Sequence, residues 1–323
     1  MSILSDALDA VTEQPRSPAF AYIDLARLGR TDVWAGLRGF CKILGWVFLA
    51  NFLLGFILGF ESGLRHVPVR KGPLFELGFI ATTAIGLLIG LRGAVVKSQC
   101  RPLSSLFGPQ MRIELRHVAA GAALWLGAQL PVVLVAIPLA AALAPASLAR
   151  SRFVTPGAEY LWTALLSLAL LPLQSAIEEL VFRGWLTQTL GQAIRRPWLV
   201  AAIVGVLFAL AHGLRGGWWG VPYFFLLSVG FSWLTFTEGR IELAIGAHAL
   251  NNILVVAVNF PFIVMSHSAQ GVPPSLFFGM GSLSGWALVG LIFKMALAYL
   301  LLKGWRCWRS RRSGPAVQSG GMG

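Results

Sequence analysis

Three short groups of polar residues interrupt apolar stretches of this chain, and each is spaced for a helix face. The first is Ser175-Ala-Ile-Glu178-Glu179-Leu-Val-Phe-Arg183-Gly184, inside a segment that is mostly apolar from Tyr160 to about Leu190. Glu179 and Arg183 are four apart with the acid first, the favourable order for a pair on one helix face. Glu178 is rotated from Glu179 by about 100° at 3.6 residues per turn, so it points elsewhere and has no sequence-local cation. The second group is Phe208-x-x-x-His212 and the third is His248-x-x-x-Asn252. A carboxylate, two imidazoles and a carboxamide meeting in a dry place would make a hydrolytic site. A desolvated carboxylate is a stronger base toward water, and imidazole and amide N–H groups can donate to a developing oxyanion.

Each group also has a plain structural reading. A histidine such as His212 can sit at a membrane interface, bonded to a carbonyl. His248 and Asn252 can serve as interhelical glue, at about 0.6 kcal/mol per contact. The pattern across the chain favours chemistry. Of five histidines, His66, His117 and His267 lie in or beside loops, and only His212 and His248 fall within apolar spans. Of 13 acidic residues only Glu178 and Glu179 are deep, where a charge costs about 2.5–3.5 kcal/mol on insertion scales and carries function by default.

The elements that would position these residues follow from composition. The 323 residues are 56% hydrophobic and 12% charged, which is the signature of an all-α, polytopic membrane protein. About eight transmembrane helices are expected, over roughly 41–60, 74–91, 118–143, 160–190, 198–212, 221–236, 241–265 and 283–302. Residues 1–36 read as a partly helical, mixed-charge surface segment on the cytoplasmic side, with no cleavable signal peptide. Residues 37–157 hold the first three spans, 158–302 spans four to eight, and 303–323 a basic cytoplasmic tail. Assigned to alternate sides, 18 cations fall on the side of the N-terminus and six on the other, with Arg183 and Lys294 inside spans. By the positive-inside rule both termini are then cytoplasmic.

The net charge of +13 reads as contact with anionic lipid rather than nucleic acid, because the cations flank apolar segments. Cys41, Cys100 and Cys307 are too scattered for a disulfide framework or a zinc knuckle. No Walker loop, dinucleotide fingerprint or GxSxG elbow occurs. Gly55-x-x-x-Gly59 and Gly86-x-x-x-Gly90 match the small-residue packing motif, Lys294 reads as paired or snorkelling, and Trp218 and Trp219 as interfacial anchors. Pro172 is a candidate kink before Glu178.

Arg195-Arg196-Pro197 closes the fourth and fifth spans into a helical hairpin. Glu178 lies 17 residues before Arg195 and His212 lies 15 after Pro197. At 1.5 Å per residue both are about 22–25 Å from the turn, at matching depth on neighbouring helices.

The three groups, in order, resemble the signature motifs of the CAAX protease and bacteriocin-processing family, also called Abi, of intramembrane glutamic endopeptidases related to the CAAX prenyl endopeptidase. The resemblance covers roughly Ala158–Pro261. It implies an eight-helix bundle around a membrane cavity. It implies further that Glu178 and His212 activate water for attack on a peptide carbonyl, that His248 and Asn252 stabilise the oxyanion, and that Glu179 with Arg183 holds the geometry. Phe208 is expected to pack beside the site. The expected activity is hydrolysis of a membrane-associated peptide or protein, by a multi-pass protein of a bacterial plasma membrane, with no cofactor. The alternatives are a zinc site built from Glu178, His212 and His248, though no HExxH is present, and a non-catalytic scaffold or immunity-type protein.

Overall fold

The long apolar runs fold as helices and nothing else. The computed structural model describes residues 17–66, 73–143, 158–213, 217–268 and 285–312, and among these every regular element is helical. In chain order they are α1 (Pro18–Asp24), α2 (Val33–Arg65), α3 (Pro73–Arg92), α4 (Leu115–Leu143), α5 (Ala158–Glu179), α6 (Thr187–Ile194), α7 (Pro197–His212), α8 (Gly220–Glu238), α9 (Glu242–Ser268) and α10 (Gly285–Arg312). Among the described residues six helices are long and apolar enough to cross a membrane, and Pro197–His212 is a shorter apolar helix. Arg16, Arg70, Lys71, Arg150, Arg152 and Arg215, which enter the charge assignment, lie outside the described residues.

One sequence expectation is corrected. Residues 18–28 are helical but not a surface segment: Tyr22, Ile23, Asp24 and Leu25 are fully buried. Tyr22 Oη donates to the Leu106 carbonyl at 2.7 Å, Gln192 Nε2 donates to the Ile23 carbonyl at 2.8 Å, and Asp24 pairs with Arg195 at 2.5 Å. The segment plugs the end of the bundle where the fourth and fifth spans turn. The basic tail, in turn, is helical through Arg312, so Lys303, Arg306, Arg309, Arg311 and Arg312 ride on the last turns of α10.

The hairpin forms as its sequence dictates. Arg195 takes a left-handed conformation (φ 51°) that ends α6, and Pro197 starts α7 at its first turn, where its missing amide costs nothing. Pro172 sits within a continuous α5. The departure from α geometry comes later, at a π-helical turn over Leu180–Leu186. Thr187 Oγ1 donates to the Phe182 carbonyl there at 2.8 Å, taking up a carbonyl that the wider turn presents. Such π turns concentrate at functional sites, and this one begins directly after Glu179.

Glycines let the helices approach backbone to backbone. Gly86 and Gly90 of α3 face α2, where an added Cβ would lie 2.8 Å from Val47 Cα and 2.6 Å from Ile43 Cα, so this motif packs within the chain. Gly55 and Gly59 have nothing within 4 Å. Gly246 of α9 packs on the Val118 carbonyl and Gly121 of α4 on the Leu243 carbonyl, and a Cβ at either would overlap the facing backbone. Gly246→Ala is therefore expected to force α4 and α9 apart, costing about 1–3 kcal/mol. Thermal unfolding of the purified protein in detergent should show a fall of several degrees, with Gly55→Ala unchanged as the control. Equal melting of the two variants would remove this close approach from the account.

At the end of the bundle that carries α1, Glu114 collects Arg116, Arg112 and Arg240, with Arg116 Nη2 at 2.6 Å. The hydrogen bond from Arg116, aided by the charge of Arg240, holds the Glu114 carboxyl down at about 2. Glu242, at the start of α9, also pairs with Arg240 at 2.5 Å and so ties the α8–α9 connection to the start of α4.

Candidate active site

The three polar groups converge on one cavity of about 570 Å³, lined by Glu178, His212, His248, Asn251, Asn252 and Gln174 among others. α5 supplies Gln174 and Glu178, α7 supplies His212, and α9 supplies His248, Asn251 and Asn252. The opposite wall is apolar and comes from α2 and α3 (Phe40, Ile43, Leu44, Val47, Phe79 and Ile80), with the polar pair Asn51 and Thr83 joined by a 3.1 Å hydrogen bond.

Glu179 and Arg183 are wholly buried and pair at 2.8 Å, as their spacing predicts. Arg183 is held from three sides. Its Nη2 donates to the Ser228 hydroxyl at 2.8 Å and to the Ser228 carbonyl at 3.1 Å. The guanidinium carbon lies 4.7 Å from the ring centroid of Phe208 and 5.3 Å from that of Phe231. Phe208 is thus more than packing: it is one face of the cation's enclosure and also contacts His212, at 4.3 Å between centroids.

Each histidine commits its Nδ1 to a fixed acceptor. His212 Nδ1 lies 2.8 Å from the Phe208 carbonyl, which can only accept, so the proton sits on Nδ1 and Nε2 is the accepting nitrogen. Its ring stacks on Phe224 at 4.4 Å. His248 Nδ1 lies 2.7 Å from Glu179 Oε1, the oxygen that also takes Arg183. An ionised carboxylate only accepts, so His248 Nδ1 also carries a proton. His248 Nε2 then faces Glu178 Oε2 at 3.7 Å. With Nδ1 committed to Glu179, Nε2 can donate to an oxyanion only from the doubly protonated ring. Phe231 stacks on the His248 ring at 4.9 Å and 25°.

Glu178 is mostly buried, with 13% of its side chain exposed, and its Oε2 has no hydrogen-bond partner. Asn252 Nδ2 donates to Ser175 Oγ at 3.1 Å and to Gln174 Oε1 at 3.3 Å. Asn251 is buried beside the cavity, its Oδ1 accepting from Trp125 Nε1 and Lys294 Nζ. Lys294 is accordingly paired, not snorkelling. Sequence reasoning also passed over Phe224, Ser228 and Phe231. Their spacing (i, i+4, i+7) is one helix face, and an apolar span carrying a serine on that face was the available signal.

Among the described residues no three His, Cys, Asp or Glu are grouped to hold a metal ion.

Residues 160–254 match a family model described as type II CAAX prenyl endopeptidase Rce1-like. An uncharacterized protein of Bacillus subtilis (strain 168), YyaK, is 27% identical over 264 residues, which is 77% of this chain and 84% of that protein. No solved structure matches the chain.

Proposed function

We propose, from the premise that this is a multi-pass integral membrane protein whose residues 160–254 are Rce1-like, that it hydrolyses a peptide bond of a membrane-associated substrate with a glutamate-activated water. The observation that carries the reading is the carboxylate of Glu178, unbonded at Oε2 and 3.7 Å from His248 Nε2 in a cavity shared with His212 and Asn252. Water held between Glu178 and His212 Nε2 loses a proton to Glu178 as its oxygen adds to the peptide carbonyl. The oxyanion takes hydrogen bonds from His248 Nε2 and Asn252 Nδ2. Glu178 then returns the proton to the leaving amine as the C–N bond breaks. Glu179 and Arg183 hold His248 in place and do not touch substrate. The apolar wall from α2 and α3 suits a lipid-modified or membrane-embedded peptide.

In the same reading the bundle has eight spans, α2 to α5, α7, α8, α9 and α10, with both termini cytoplasmic. No metal takes part. Purified protein in lipid vesicles should cleave a farnesylated peptide ending in a CAAX sequence, or an unmodified transmembrane peptide, and should keep its rate in excess EDTA. Mass spectrometry of the products reads both arms. Loss of cleavage in EDTA with recovery on added zinc would overturn the metal-free mechanism. No cleavage of any membrane peptide would favour a scaffold.

A further inference from the structure

Lys294 of α10 is a charged residue that the mechanism above does not use, yet it is 5% exposed and one hydrogen bond from the cavity wall. Its Nζ donates to Asn251 Oδ1 at 3.2 Å and lies 4.4 Å from the ring centroid of Trp125. Trp125 Nε1 donates to the same Asn251 oxygen, also at 3.2 Å. An indole N–H is a donor only, so the oxygen of Asn251 must face Trp125 and Lys294, and its amide nitrogen must face the other way. That nitrogen, Nδ2, lies 3.4 Å from Asn252 Oδ1. The oxygen of Asn252 is thereby fixed as an acceptor, and its own Nδ2 is presented toward Gln174 and Ser175.

We infer that Lys294, Asn251 and Trp125 form a positioning relay that orients and polarises the Asn252 amide as an oxyanion donor. Every link runs the same way, donor to oxygen, and each amide passes the effect on: drawing electron density to the carbonyl oxygen makes the amide N–H a stronger donor. Hydrogen-bond chains strengthen cooperatively in this manner. The lysine gives the chain a cationic end, and the tryptophan prevents Asn251 from flipping. The relay reaches across three helices, α4, α9 and α10, two of which carry no part of the three polar groups. It rests on the proposed role of Asn252.

The test has two readouts. The sequence contains four asparagines, Asn51, Asn251, Asn252 and Asn259, so side-chain 15N labelling of asparagine in the full-length protein gives a short spectrum. Lys294→Met should shift the amide signals of both Asn251 and Asn252 and leave that of Asn51, between α2 and α3, in place. Should Lys294→Met not fold, Trp125→Phe removes the N–H while keeping the ring and should move the same two signals. Movement of Asn251 alone would overturn the relay. On a farnesylated CAAX-type peptide, Lys294→Met should lower kcat roughly 5–10-fold with KM within twofold, less than the roughly 100-fold or more for losing an oxyanion donor itself. Lys294→Arg should recover most of that. An unchanged kcat in an active enzyme would overturn the inference. If the wild type cleaves nothing, the protease reading fails while the amide spectrum still decides the relay.

Discussion

Arg183→Ala is expected to destabilise the protein by about 3–5 kcal/mol, because it strands a buried carboxylate. Glu179 is fully buried and takes Arg183 and His248 through the same oxygen. Without the guanidinium, that carboxylate keeps only a partner that can give up its proton. The Ser228 hydroxyl and the faces of Phe208 and Phe231 lose their cation as well. Arg183→Lys should recover little, since an ammonium cannot reach Glu179 and Ser228 with one planar fork. Glu179→Gln is the informative partner: it removes the charge and keeps the shape, so it should cost stability and loosen His248. Denaturant unfolding in detergent, followed by tryptophan fluorescence, measures both. Wild-type stability for Arg183→Ala would mean that the buried pair does not organise the site.

His212→Ala should retain the fold and lower kcat by about 10²–10⁴-fold, the range for losing a positioned acid–base group. Its ring is half-buried and stacked between Phe208 and Phe224, so truncation opens space at the cavity and leaves no stranded charge. That separates it from Arg183→Ala: one variant should be stable and inactive, the other unstable. KM for a membrane peptide should be nearly unchanged, because the apolar wall that would bind it lies on α2 and α3. A large rise in KM with kcat preserved would make His212 a binding residue.

Much of this site is legible from spacing. The Glu179–Arg183 pair follows from an i, i+4 register, and the shared cavity of Glu178 and His212 agrees with the Arg195–Pro197 turn and its similar run lengths, 17 and 15 residues, on either side. Those arguments work because they are local or need one hairpin. What escaped is what depends on helices remote in sequence. Nothing in Trp125 or Lys294 says that they meet at Asn251, since each is separately an ordinary membrane residue. The burial of residues 22–26 was hidden for the opposite reason. Mixed charges read as solvent exposure, yet Asp24 is buried against Arg195. The π turn at Leu180–Leu186 carries no proline or glycine pair at its start, so its position has no composition signal. The first two long helices carry none of the three polar groups and nonetheless build the apolar half of the cavity.

The central claim is that the carboxylate of Glu178 activates the attacking water, and Glu178→Gln tests it most directly. The substitution keeps size and hydrogen-bonding capacity while removing the base. Wild type and variant, purified with matched melting temperatures and reconstituted in vesicles, are given the same farnesylated CAAX-type peptide, and products are counted by mass spectrometry. The account predicts cleavage by the wild type and a loss of at least about 100-fold in the variant; a variant that cleaves at the wild-type rate would contradict it.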